Sequence, residues 1–442
     1  MKSLIKQNTL VLFHRQSDRM PALDGIRAIA ILLVVGLHLI MGQAGDVGEA
    51  ISQYDTDAYF DQIVHSRIGR ILARGEFGVD LFFVLSGFLI GSILFKELFA
   101  TKTLNLKRFY TRRFIRLLPV YFFVLFFGYL LYALFLPAQI EGQTFWTVMA
   151  NVVYVNNLLP IEDAYMIWCW SLAIEEQFYT VCPLLLLLIF WLAKTKRARV
   201  ISFISLIGIL LVVRAFCVSY FGLSAPVPHF DFRVPESMPY FDSIYNNPHT
   251  RANQLLIGVF AAFLYLRYGD QLKRICHTWW FQGLELFSLA IMGWLLTDWI
   301  YTLYGSSYST YLADLPQWAR YTYLVIFQDL FALATAVVML GVLSGGGIVN
   351  RVVGGFLSMK FWYPIAQLSY SWYLVHIIVM HFMFPHTSEW FYDTFGFVPG
   401  YWLNGIVVSS VALFISYLMF IFIEKPSMDV RRAEWVKRFH GS

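Results

Sequence analysis

Charge is scarce in this 442-residue chain: Asp, Glu, Lys and Arg make up 14% of it, against 58% hydrophobic and 18% aromatic residues. That balance excludes an ordinary soluble domain. Cysteine is scarce too, with Cys169, Cys182, Cys217 and Cys276 forming neither a close pair nor a metal-ligand spacing. No metal site is therefore expected, and the four thiols read as small buried residues. The chain lacks a visible internal repeat, a long linker and any basic–aromatic array that would suggest a nucleic-acid surface. Gly345-Gly346-Gly347 has no following Lys-Ser/Thr, so it reads as a turn rather than a phosphate loop. The polar start KSLIKQNTLVLFHRQSDRMPALDG does not read as a signal peptide, because the apolar run after it is too long for a signal core.

What the chain has in abundance is apolar runs near twenty residues long, separated by short polar segments. They predict an all-α, polytopic membrane bundle of ten spans, near 23–43, 78–98, 117–137, 178–193, 200–220, 252–267, 279–299, 320–343, 363–384 and 399–423. The stretch 138–177, interrupted by Asn and Pro, is expected to be interfacial or re-entrant. With the N-terminus inside, the inner segments carry 25 Lys and Arg and the outer ones 6, which predicts both termini in the cytoplasm. The larger outer segments, 44–77 and 221–250, are acidic and proline-rich respectively, and an irregular cap is expected there. The organisation expected is a cytoplasmic segment 1–20, one integral domain over 21–426 and a basic cytoplasmic tail 427–442, too short to fold by itself.

Against this apolar background the ionisable residues stand out. Arg27 and His38, in LDGIRAIAILLVVGLHLI, are eleven residues apart. On a helix that is about three turns, so they share a face roughly 16–17 Å apart along the axis. Ionisable groups on one face of a span are costly and point to function. Arg112, Arg113 and Arg116 in KRFYTRRFIRLLP form an inner basic cluster. Such clusters follow topology and bind lipid phosphate, and they also grip phosphates bidentately. Asp80 lies one turn inside span two, where it needs a partner: an outer arginine, or a histidine that it would orient. Ser86-Gly87 reads as a close helix contact. Ahead of span four, WSLAIEEQFY carries Trp170, Ser171, Glu175 and Glu176, and adjacent positions point about 100° apart, so one glutamate at most addresses a site. Arg251 and Gln254 share a face at the start of span six. His376, in SYSWYLVHIIV, reads first as a hydrogen-bonded core histidine, with a functional role open.

In order and spacing these segments resemble acyltransferase family 3, the membrane-bound O-acyltransferases. The resemblance rests on Arg27-x10-His38, GVDLFFVLSGFLI, RRFIRLLP, WSLAIEEQFY, RANQLLIG, SYSWYLVH and IEKP at 423–426, and runs from about residue 20 to 426. Val375 departs from it, since many relatives have an aromatic residue before the histidine, and the esterase-like domain that some relatives append is not seen. The resemblance implies transfer of an acyl group, commonly acetyl, from acyl-CoA to a hydroxyl of a cell-surface glycan or lipid-linked saccharide, in a bacterial inner membrane. It implies acyl-CoA as donor substrate, no tightly bound cofactor, membrane lipids as surroundings and no nucleic-acid partner. Arg27, Arg112, Arg113 and Arg116 would then hold the donor phosphates. His38 would serve as general base or transient acyl carrier. Glu175 occupies the acidic position of WSLxxE and would hold acceptor hydroxyls or orient His38, with Asp80 as a further catalytic candidate. Arg251, Trp170 and Ser171 would lie on the acceptor side. The competing reading is a transporter of an anionic or saccharide substrate, disfavoured because no paired halves are visible.

Overall fold

The computed structural model describes residues 2–15, 20–50, 62–63, 66–223, 237–297 and 315–432. Much of the expected outer cap (51–61, 64–65 and 224–236) and of the basic tail (433–442) lies outside the described residues. The described residues contain helices and turns and no strand. Ten long helices dominate: α1 (Pro21–Ala50), α2 (Phe77–Thr101), α3 (Leu106–Phe135), α4 (Trp170–Leu192), α5 (Lys196–Tyr220), α6 (Pro248–Arg267), α7 (Trp279–Thr297), α8 (Gln317–Ser344), α9 (Trp362–Phe395) and α10 (Phe397–Met419).

Each expected span falls on one of these helices, but they do not all meet the same test. Among the described residues, eight segments are long and apolar enough to cross a membrane, and a ninth qualifies if α6 is joined to the helix Gly269–Cys276, from which it bends by 98°. Helix α9 falls short because His376, His381 and His386 interrupt its apolar sequence along with serines and tyrosines. The chain is thus a polytopic helical membrane protein, with eight or nine candidate spans among the described residues where about ten were expected. Of the 138–177 stretch, residues 138–169 form short turns and one helix, Phe145–Val152, and 170–177 begin α4. WSLAIEEQFY, however, does not precede a helix; it forms the first turns of α4.

Local signals explain the boundaries. Pro21 and Pro248 open α1 and α6, where a missing N–H costs nothing. Asn105 and Thr195 cap α3 and α5 by accepting from Arg108 N and Ala198 N at 2.9 and 3.1 Å. After α8, Gly345 and Gly347 take φ of 61° and 71°, the left-handed backbone that makes this glycine triplet a turn.

The chain groups into two compact units. The first comprises residues 1–72, 105–144 and 358–442, and the second 73–104 and 145–357. In the first, α1 packs on α9 through Ala28, Trp362 and Ala366. The helix Lys2–Phe13 is anchored there too: buried Asn8 donates to Ile421 O at 2.9 Å, and Leu12 packs on Leu368, Phe420 and Ile421. In the second, α2 and α6 cross at backbone distance. A methyl on Gly87 would strike the Leu255 carbonyl, and one on Gly258 the Val84 carbonyl. Gly87 is therefore the close contact its sequence suggested, the small-residue solution for helices in lipid.

Candidate active site

In the first unit the continuity of α1 from Pro21 to Ala50 puts Arg27 and His38 on one face, about 16 Å apart along the axis. His38 is half-buried, and its Nδ1 lies 2.8 Å from Val34 O. Opposite it stands His376 of α9, fully buried, with Nδ1 2.6 Å from Tyr373 O and Nε2 3.2 Å from His38 Nδ1. Carbonyl oxygens only accept, so these contacts assign a proton to Nδ1 of each ring. His38 Nδ1–H then donates to Val34 O with His376 Nε2 as a second acceptor. The rings meet edge to face, with centroids 4.9 Å apart. His38 Nε2 has no hydrogen-bond partner among the described residues, so in the neutral ring its lone pair is free. A neutral imidazole fixed by its Nδ1–H and bare at Nε2 is the form that can accept a proton.

The basic residues lie in the same unit. Arg112 is exposed, while Arg27, Arg113 and Arg116 are half-buried. Arg27 and Arg116 both act electrostatically on the buried carboxylate of Glu424, which accepts from Ser371 Oγ at 2.8 Å. The IEKP segment thus helps to bring two of the expected donor arginines to one place. Arg112, Arg113 and Arg116 follow one another about two to three turns into α3.

The other expected site residues belong to the second unit. Asp80 pairs with Arg251 at 3.0 Å, both fully buried, so of its two possible partners the arginine is the one found. The Arg251 guanidinium also lies over the rings of Phe83, Trp170 and Tyr245, at 5.6, 5.5 and 5.1 Å. Gln254 donates to Asp329 at 2.6 Å, as does Asn253 at 2.8 Å. Arg214 caps Leu324 O at 3.0 and 3.2 Å, and Arg74 pairs with Glu76 at 3.1 Å. Burial pushes the Glu76 carboxyl up from its ordinary range, while Arg74 and Arg251 pull it back. Arg74, Arg214 and Arg251 against Glu76, Asp80 and Asp329 form a buried network balanced in charge among the described residues.

Glu175 is half-buried and accepts from Ser86 Oγ at 2.8 Å and Tyr179 OH at 2.9 Å. Trp170 and Ser171 are buried in the same first turns of α4. Ser86 and Tyr179 were missed as site residues. The i,i+4 spacing of Tyr179 from Glu175 was a usable signal, whereas Ser86, 89 residues away, carried none. Asp329, Arg214, Glu424 and Ser371 were missed as well, and only their rarity in apolar runs marks them.

Residues 20–421 match the family profile of the acyltransferase domain, nearly the whole chain. The chain belongs to this acyltransferase family. Among its relatives, the O-acetyltransferase OatA of Staphylococcus aureus is 26% identical over 427 residues, covering 92% of this chain and 57% of that protein. The peptidoglycan O-acetyltransferase OatA of Listeria monocytogenes is 30% identical over 261 residues, 55% of this chain and 34% of that protein. The nose resistant to fluoxetine protein 6 of Caenorhabditis elegans is 22% identical over 458 residues, 96% of this chain and 52% of that protein. The chain thus spans just over half the length of the first two full-coverage relatives. No solved structure matches it.

Proposed function

We propose that this chain is an O-acyltransferase, acetyl being the group carried, which takes its donor from cytoplasmic acyl-CoA and acylates a hydroxyl of a cell-envelope glycan or lipid-linked saccharide in a bacterial inner membrane. The observation that carries the reading is the His38 imidazole, held through Nδ1–H by Val34 O and His376 and bare at Nε2, on the same helix face as Arg27. Arg27, Arg112, Arg113 and Arg116 hold the donor phosphates by charge-assisted hydrogen bonds. His38 Nε2 takes the proton of the acceptor hydroxyl as that oxygen attacks the thioester carbonyl. The carbon–sulfur bond then breaks, and the imidazolium returns the proton to the leaving thiolate. Glu175, with hydroxyl partners already on it, is assigned to the acceptor side together with Trp170, Ser171 and Arg251. Asp80 supports that side through its ion pair.

Donor and acceptor are proposed to approach from opposite membrane faces. The Lys and Arg asymmetry supports this polarity, and the anchoring of Asn8 on Ile421 supports a common face for the two termini. The test uses sealed vesicles of known orientation holding the full chain, acyl-CoA on one side and acceptor glycan on the other. Mass spectrometry should find the glycan heavier by one acyl group on the face opposite the supplied donor. Product confined to the donor face would leave a one-sided transferase, and free CoA without acylated glycan would leave a hydrolase.

A further inference from the structure

One end of the second unit carries a cavity that the acyl-transfer reading does not use. The last turns of α2, α4 and α6 and the first turn of α5 enclose about 600 Å³ there, lined by Leu98, Phe99, Leu187, Phe190 and Trp191 and by the cations Lys102, Arg199 and Arg267. The volume lies within the roughly 300–1,000 Å³ of sites that hold small organic molecules. Its chemistry is divided: five walls are apolar or aromatic, three carry positive charge, and no carboxylate lines it.

Two of the cations have partners at the rim, and Arg267 is exposed there. Arg199 lies flat on Phe190, 3.9 Å from the ring centroid, and donates from Nε to Ala193 O at 2.9 Å. Lys102 closes α2 at φ 62°, a left-handed position where glycine is the usual choice, and its Nζ reaches Phe99 O at 3.3 Å. Arg199 and Arg267 stand close enough to repel each other, and neither has a carboxylate partner among the described residues. Two like charges beside a greasy cavity are best satisfied by an anion that brings its own apolar body. The location agrees: Trp191, 67% exposed, sits at the rim, and the end of the bundle is the one that the Lys and Arg distribution assigns to the cytoplasmic leaflet.

We propose that this cavity binds the phosphate head and adjoining chain of an anionic glycerophospholipid, the phosphate bridging Arg199 and Arg267 and the chain lying along Phe99, Leu187, Phe190 and Trp191. Basic pockets between membrane helices on the cytoplasmic side recognise such head groups. The inference stands whether or not the chain moves acetyl groups, since none of these residues has a part in the proposed transfer.

The test is native mass spectrometry of the full chain released from nanodiscs of equal phosphatidylglycerol and phosphatidylcholine. The natural protein should retain phosphatidylglycerol preferentially, and Arg199→Gln/Arg267→Gln should lower that preference by about tenfold or more. Leu187→Trp, which fills the cavity and leaves all three charges, should lower retention of phosphatidylglycerol too, and it carries the test if the double variant fails to fold. Unchanged preference in either folded variant would overturn the proposal. So would displacement of the lipid by coenzyme A or inorganic phosphate, which would make this a site for soluble phosphates.

Discussion

The polar centres that stand out in the two units are built differently. In the second, carboxylates are paired or hydrogen-bonded: Asp80 and Glu76 with Arg251 and Arg74, and Asp329 with two amide donors. Hydrogen bonds and ion pairs of this kind fix helices relative to one another. In the first, the central polar group is a neutral histidine pair whose Nδ1 protons go to backbone carbonyls, leaving one lone pair on His38. Paired buried charges hold helices together, whereas a histidine with one free ring nitrogen is placed to accept a proton.

The comparison is broken most forcefully at the ion pair. Removing one partner of a buried pair strands the other charge, and about 3–5 kcal/mol of stability is expected to be lost in Arg251→Met. The double variant Asp80→Leu/Arg251→Met should recover most of it, measured as melting temperature in detergent. If Arg251→Met melts normally and loses only transfer, Arg251 serves the acceptor alone and its ion pair with Asp80 does not hold the helices together.

Replacing Arg27 or Arg116 by Gln probes the first unit. Loss of a charge-assisted phosphate contact costs about 1.5–3 kcal/mol, or ten- to a hundredfold in affinity for acyl-CoA. Lysine should restore only part of it because it cannot form the planar fork. Unchanged donor affinity in both variants would return these arginines to topology and lipid contact.

Glu175 is the second unit's exception, a half-buried carboxylate holding two hydroxyls. Glu175→Gln should abolish transfer while acyl-CoA binding persists, and Ser86→Ala should weaken transfer by no more than about tenfold, the worth of one hydrogen bond. Equal damage to donor binding would remove the assignment to the acceptor side. The smallest effect is expected at His376. Val34 O still accepts from His38 Nδ1 when His376 becomes Phe, so transfer should fall by less than about tenfold. A loss as deep as that of His38→Ala would make the histidine pair one functional unit.

How much of this was legible beforehand depended on whether the signal was local. Apolar runs located every long helix, because hydropathy over twenty residues is a property of the sequence itself. Their number as spans was less legible. The bend after α6 at Tyr268 and the polar content of α9 are tertiary and compositional details that a run of apolar residues conceals. The shared face of Arg27 and His38 followed from helical period alone. The partner of His38 did not: His376 is 338 residues away, and its sequence context suited a core histidine equally well. Asp80 needed some arginine, and only packing of α2 against α6 through Gly87 and Gly258 selects Arg251.

The central claim, that His38 Nε2 moves the acceptor proton, is tested most directly by His38→Ala in purified full-length protein. Three quantities are measured together: acyl transfer, acyl-CoA affinity and melting temperature. Transfer should fall by about 10²–10⁴-fold, the usual contribution of a general base, while donor affinity and melting temperature stay near those of the natural protein. Near-normal transfer by the folded variant would contradict the claim and remove His38 from the chemistry.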